Sequence, residues 1–389
     1  MTHPDVLVLG GGVIGLACAR ALASKGYQVE VVERLPAGAE ASMAAAGMLS
    51  PWGEVTAPGA FLEACRGSRD LWGPWVAALE AETGLSVDYD TSGTLLVALD
   101  EAEAAETAEA VRLGRELGER ADEIEIAALR HWVPDITPEA RSAVHLPDEH
   151  RVDNVQLCAV LAQAVLKMGV PIHYDSEVVR IERRPEGTVL AIGHHWRKEA
   201  RLLVLAAGAW SGLIPELPPL PTRPVRGQML MLGGIEWPWS GSVRQGGFYA
   251  VRRGATGLLI GATVEEAGFE KHNTVEGVED LLAFARRLFP GIGPARLETI
   301  WAGLRPGTPD HLPILGSLPG WPILAATGHY RNGILLAPWT AGEVARLAFA
   351  PGEVEIQDFS PRRFLGDIIP AMEGLRIVQN QRPLRRGPE

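Results

Sequence analysis

The run from Asp5 to Arg34, DVLVLGGGVIGLACARALASKGYQVEVVER, constrains the fold more than any other part of the chain. Val6-Leu7-Val8-Leu9 is apolar at every position, the pattern of a strand buried on both faces of a parallel sheet. Gly10 to Gly15 then reads G-x-G-x-x-G, and Ile14, Ala17, Cys18, Ala21 and Leu22 follow at helical spacing until Gly26 closes the helix. A second strand, Gln28 to Val32, ends at Glu33. Strand, glycine turn, helix, strand and terminal acid together predict a dinucleotide-binding unit. Gly10 allows the tight turn, Gly12 lets a pyrophosphate approach the backbone, and Gly15 lets the helix pack close to the sheet. The first helical turn directs unpaired N–H groups at the phosphates. Glu33 stands where an acid accepts hydrogen bonds from the adenosine ribose, although neighbouring Arg34 weakens discrimination against a 2′-phosphate. The uncharged stretch Val6 to Ala19 also resembles a signal-peptide core; three adjacent glycines, acidic Asp5 and no preceding basic residue argue against that reading.

A chain of 389 residues predicts two domains, or one with a large insertion. No apolar run reaches the roughly 18 residues of a membrane span, so no membrane partner is expected. With 36 Lys and Arg against 48 Asp and Glu, the net charge of −12 argues against general nucleic-acid binding. Three scattered cysteines, Cys18, Cys65 and Cys158, without C-x-x-C spacing predict a reducing, cytoplasmic setting and no disulfide framework. No His, Cys and carboxylate group has metal-ligand spacing.

Leu35 to Pro51 is rich in alanine and glycine; by composition Ala44 to Met48 reads as helix, yet small side chains here also suit a backbone passing close to a flat ring. Phe61 to Thr83 predicts a long helix with Gly73-Pro74 kinking it. Val87 to Tyr89 and Thr94 to Leu99 flank Ser92-Gly93 as a predicted hairpin. Glu101 to Glu119 reads as a solvated helix and Asn154 to Met168 as an amphipathic one, capped by Asn154 or Asp153. Arg201 to Leu205 is a buried strand running into the glycine turn of LAAGAWS. Pro215 to Pro224 predicts a connector between domains. Gly227 to Met231, Gly247 to Arg252 and Gly257 to Ala262 suit one antiparallel sheet. A helix over Val278 to Phe289 and a run from Leu297 to Leu304 lead to WAGLRPGTPD, the densest group of turn and charged residues, with Arg305 on a Gly/Pro-bounded loop. Another short buried strand, Ile323 to Ala326, enters GHYRNGILLAP and a last helix, Thr340 to Phe349. The basic tail from Arg376 onward reads as disordered.

Taken in order, VLGGGVIG, SMAAAGML, LAAGAWS, WAGLRPGTPD and GHYRNGILLAP resemble the D-amino-acid oxidase-like flavoenzymes, and within them the glycine oxidase branch, over about Asp5 to Phe349. The resemblance implies an α/β fold of two domains, a doubly wound Rossmann-type FAD domain and an α+β substrate domain with an antiparallel sheet. It assigns 1–85, 149–224 and 296–365 to the first, 86–148 and 225–295 to the second, and 366–389 to a tail. It implies non-covalent FAD, with Gly10, Gly12, Val13, Ile14, Gly15, Glu33 and Arg34 on the ADP half. Ser42, Ala46, Gly47 and Met48 would lie on the ribityl and ring portion. Val178 would bind adenine through its backbone, Gly208 lies in the shared LAAGAWS motif, and His329, Tyr330, Arg331, Asn332, Gly333, Ile334 and Leu335 would follow the pyrimidine edge. Arg305 would hold a substrate carboxylate and Tyr249 would add a hydroxyl. By the same resemblance the reaction is oxidative deamination of glycine or a similar small amino acid to a 2-oxo acid, ammonia and H2O2. The resemblance also implies oxygen as the acceptor, a role in thiamine biosynthesis and a homotetrameric assembly.

Gly247-Phe248 stands where bacterial glycine oxidases carry a His-Cys pair, and Val264 where a methionine lines the pocket, which keeps sarcosine or a D-amino acid open as the substrate. An arginine is the right group for a carboxylate because its planar fork binds both oxygens; its ordinary alternative is a surface ion pair. Tyr249 reads equally as a core tyrosine, Arg331 as a loop-holding residue, and His329 as a backbone-positioning residue. A non-catalytic FAD-binding module is the remaining alternative.

Overall fold

The computed structural model describes residues 3–51, 58–349 and 356–365; the basic tail falls outside them. The N-terminal strand Val6–Leu9 lies inside a six-stranded sheet ordered Ile314–Ser317, Ile323–Thr327, Leu202–Leu205, Val6–Leu9, Val29–Val32, Ile172–His173, parallel except for its first pair. Its uniform apolarity follows from two covered faces. Val6 and Val8 enter a core built with the helices Val13–Ser24, Ala60–Thr83, Asn154–Lys167 and Ala337–Phe349. Leu7 and Leu9 enter another with Ile181, Val189 and Ala191 of a small antiparallel meander. Asp153 caps the helix Asn154–Lys167, its carboxylate accepting the N–H groups of Val155 and Gln156 at 3.0 Å.

The second sheet has eight strands, ordered Arg296–Gly307, Arg223–Gly233, Gly257–Gly261, Phe248–Arg253, Ser242–Gln245, Thr94–Ala98, Ser142–Leu146, Asp122–Ile124. Its residues alternate between two environments, as a half-covered strand requires. Leu230, Leu232, Ala250, Leu258 and Ile260 pack under the helix Val275–Leu288 through Leu281, Phe284 and Leu288. Met229, Tyr249, Val251 and Leu259 turn to the opposite side, where they meet Ala46.

Three local expectations are corrected. Thr94–Ala98 does not form a hairpin with Tyr89–Asp90: the first joins the eight-stranded sheet and the second pairs with His150–Val152 in a separate one. Arg305 is on a strand rather than a loop, since Arg296–Gly307 pairs with Arg223–Gly233 through Arg223↔Gly307. Pro306 is tolerated because Arg296–Gly307 is the sheet's edge strand, and Pro224 because it precedes the stretch Met229 to Gly233 that pairs with Gly257–Gly261, so a missing N–H costs little at either place. In the alanine-rich stretch the helix is Ala41–Ala44, and Met48–Leu49 is already extended. Pro74 lies within the helix Ala60–Thr83.

Candidate active site

The site begins where the first strand ends. Gly10 has φ +108°, and a Cβ there would collide with the Ala206 carbonyl; a Cβ on Gly15 would collide with the Gly10 carbonyl. Gly15 therefore serves helix-to-turn packing and does not line the cavity, whereas Gly10, Gly12, Val13 and Ile14 do. The Val13 N–H, at the open end of its helix, donates to Ser42 Oγ at 3.0 Å. Glu33 accepts the Gly11 N–H at 2.6 Å and the Leu35 N–H at 2.9 Å, so its carboxylate is fixed at the cavity wall. Arg34 pairs with Glu40 at 3.0 Å and lies 3.9 Å from the ring centre of Trp210.

From there the cavity runs past Ser42, Ala46, Gly47 and Met48, with Val178 and Gly208 also on its wall. It measures about 2100 Å³ including its open mouth. Its lining runs from Gly10 at one end to Arg305 and Tyr249 at the other, a length that suits an elongated ligand. Gly47 has φ +71° and Val152 behind it leaves no room for a side chain. Arg253 holds this segment by donating to the Ala46 carbonyl and to Asn154 Oδ1, and Asn154 in turn donates to the Ser42 and Met43 carbonyls.

The turn after the strand Ile323–Thr327 forms a second wall. His329, Tyr330, Arg331, Asn332, Gly333 and Ile334 line the cavity. Tyr330 has φ +49° and its N–H donates to the Pro306 carbonyl at 3.0 Å, which pins the turn to the Arg305 strand. His329 is buried against the Thr340 hydroxyl at 3.0 Å, and burial pushes its pKa down to about 3, so the ring is neutral. Leu335 is off the cavity: its side chain is in the core, and its carbonyl accepts Ser68 Oγ at 2.5 Å and Trp72 Nε1 at 2.9 Å.

Arg305 and Tyr249 close the far end. The Arg305 guanidinium lies across Gly227, where any Cβ would strike it, and its Nη1 donates to the carbonyls of Thr263 at 3.1 Å and Arg226 at 3.3 Å. Tyr249 is buried, with the positive charge of Arg305 acting on its phenol; burial outweighs that charge and holds the phenol above its ordinary pKa, so it keeps its proton at neutral pH. Two carbonyls thus orient a cation, and a phenol stands beside it, at a wall of the same cavity that begins at Gly10. Among the residues that sequence reasoning missed, Arg244, Ser50, Met229 and Trp210 also line it. Arg244 was legible in principle, because the two-glycine turn Gly246-Gly247 sets it opposite Tyr249. Gly247 and Val264 do not line the cavity, and Val264 is exposed. Among the described residues no group of His, Cys and carboxylates could hold a metal.

A family model described as FAD dependent oxidoreductase, DAO, matches residues 5–347. The chain belongs to this DAO family. It is 38% identical over 372 residues to the bifunctional protein ThiO/ThiG of Synechocystis, an alignment covering 94% of the chain and 54% of that relative. The chain therefore spans about half the length of the ThiO/ThiG relatives it matches. It is 35% identical over 341 residues to a glycine oxidase of Pseudomonas putida, covering 86% of the chain and 91% of the relative. The crystal structure of glycine oxidase from Geobacillus kaustophilus matches with a TM-score of 0.86 at 31% identity, covering 92% of this chain and 98% of that one. The two-domain DAO fold expected from the resemblance is the fold observed. FAD is the cofactor of the DAO family, and this cavity fits it: turns that admit no Cβ at Gly10 and Gly47, a helix start, and a wall-fixed Glu33.

Proposed function

We propose that the chain is an FAD-dependent oxidase of glycine or a similarly small amino acid, releasing a 2-oxo acid, ammonia and H2O2, and that it serves thiamine synthesis. The observation that carries this reading is the Arg305–Tyr249 pair on the cavity that starts at the dinucleotide turn. Relatives named glycine oxidase and ThiO/ThiG support it.

In this reading Arg305 takes the substrate carboxylate and Tyr249 adds its hydroxyl. Because Arg226 and Thr263 carbonyls already hold the guanidinium, little side-chain freedom is lost on binding. A carboxylate anchored at one end fixes the direction of the Cα–H bond, which is most of what this reaction asks of the protein. FAD bound in the cavity would supply the hydride acceptor and the route by which electrons reach O2. With the amine deprotonated no general base is needed, and the buried, neutral His329 positions the 328–336 turn. FAD binds non-covalently in this reading: Cys18, Cys65 and Cys158 are buried, and none lines the cavity. The residues proposed to hold it are those already on the cavity wall, with Gly15 and Leu335 acting from behind it. The domain division at 85/86, 148/149, 224/225 and 295/296 belongs to the same proposal, with the Arg305 strand crossing it by pairing to Arg223–Gly233.

The test is aerobic turnover of the FAD-saturated protein with glycine, sarcosine and D-alanine, following peroxide and ammonia. The reading expects equal amounts of both products from glycine. Faster turnover of sarcosine or D-alanine would move the substrate assignment, and no turnover of any would end it.

A further inference from the structure

The eight-stranded sheet places a second cation on the wall of the cavity that holds the proposed carboxylate clamp. Its backbone register aligns Trp301, Met229, Gly261, Tyr249, Arg244 and Leu96 in one row across six strands. Directly opposed residues of neighbouring strands share a face. Tyr249 faces the cavity, so Arg244 does too, one strand further from Arg305; both line it. The missing side chain at Gly261 leaves Tyr249 room to lean toward Arg305, which puts the hydroxyl and the two guanidiniums on one wall.

Arg244 differs from the other arginines around it in where its donors go. Arg305, Arg253 and Arg226 spend theirs on carbonyls or side chains. Among the described residues no acceptor is within hydrogen-bond reach of Arg244. Its nearest acid, Glu149, is 3.8 Å away. Glu149 is 1% exposed, accepts the Ser50 hydroxyl at 3.0 Å and is not part of the cavity lining. It therefore sits behind Arg244 as a countercharge that keeps the guanidinium in place without occupying its fork.

We infer that Arg244 is a second anion subsite, and that besides glycine the cavity takes amino acids carrying a second carboxylate, either on the amine nitrogen or on the side chain. This rests on the Arg305–Tyr249 reading: one carboxylate in that clamp, the other reaching past Tyr249 to Arg244. Glycine itself would use only the first. Arg244 is four strands from Arg305 in the sheet order, and the Arg305 guanidinium closes part of that gap by lying across Gly227 toward Thr263, so the two forks address separate anionic groups and a monoacid has no second partner.

The test measures binding, by calorimetry on the FAD-saturated protein, of two ligands that cannot be oxidised at nitrogen: diglycolate, a diacid, and methoxyacetate, its monoacid counterpart. Diglycolate should bind roughly tenfold or more tightly than methoxyacetate, the scale of a charge-assisted pair in a partly enclosed site. In Arg244→Gln that ratio should fall toward one. Because removing Arg244 strands Glu149, the double variant Arg244→Gln with Glu149→Gln is measured too and should give the same collapsed ratio. Turnover of N-carboxymethylglycine and D-aspartate then tells which position carries the second carboxylate. A wild-type ratio near one, or a ratio that survives in both variants, overturns the subsite while leaving glycine oxidation standing. If neither acid binds and glycine is not oxidised, the clamp itself fails and this inference falls with it.

Discussion

Single atoms decide the nucleotide end of the molecule. Gly10 at φ +108° sits against the Ala206 carbonyl, so Gly10→Ala combines a disfavoured backbone with a collision against main chain that cannot swing away. Such a variant should lose several kcal/mol of stability, on the order of the larger single-residue effects, and should purify colourless or not at all. Wild-type flavin content would contradict this. His329 makes a prediction about pH. Its folded pKa of about 3 lies below the roughly 6.5 of an exposed imidazole, so the unfolded chain binds the extra proton between these values. Stability from this residue is therefore present above about pH 6.5 and lost as pH falls toward 3, at up to ~1.4 kcal/mol per pH unit. Denaturant melts of wild type and His329→Gln from pH 7 to pH 4 should converge as the pH drops; parallel curves would refute the assignment.

At the level of elements, the Arg305 clamp is assembled by a bridge rather than by its own strand. Arg226 and Glu265 exchange backbone hydrogen bonds, and the Glu265 carboxylate gathers Arg226, Thr263 and Gln228. The two carbonyls that hold Arg305, those of Arg226 and Thr263, belong to this knot. Glu265→Ala should raise KM for glycine about tenfold, as one charge-assisted hydrogen bond is worth, with a smaller fall in kcat and unchanged flavin content. A loss confined to flavin content would show that Glu265 acts elsewhere. These elements also explain what could be read from sequence. Strand Val6–Leu9, its helix and Glu33 were legible because each is specified by residues a few positions apart. The Arg305 strand was not, since Gly303, Pro306, Gly307 and Pro309 imitate a loop unless the edge position is known. Thr94–Ala98 likewise carries a strand pattern that names no partner, and Ser92-Gly93 suggested the wrong one. Arg305 itself was legible by motif, while its neighbour Arg244 depends on cross-strand register.

Across the whole molecule, one cavity joins two sheets that local patterning describes separately. The nucleotide turn and the 328–336 turn belong to the six-stranded sheet, and Tyr249, Arg244 and Arg305 to the eight-stranded one. A ligand spanning both should tie them together, so FAD at 100 times its Kd should add about 2.7 kcal/mol to the folded state. Melts with and without added FAD check this, and a Tm indifferent to FAD would contradict it. The central claim is that a guanidinium at the eight-stranded sheet presents a small zwitterion to the flavin. Its most direct measurement is the loss of visible flavin absorption on anaerobic addition of glycine, in wild type and in Arg305→Ala loaded with FAD to the same level. The account predicts bleaching of the wild type, and in the variant a rate at subsaturating glycine lower by roughly 10²–10³-fold, the cost of a lost bidentate charge-assisted pair. Equal bleaching rates in the two proteins, or a wild-type flavin that stays oxidised, would contradict it.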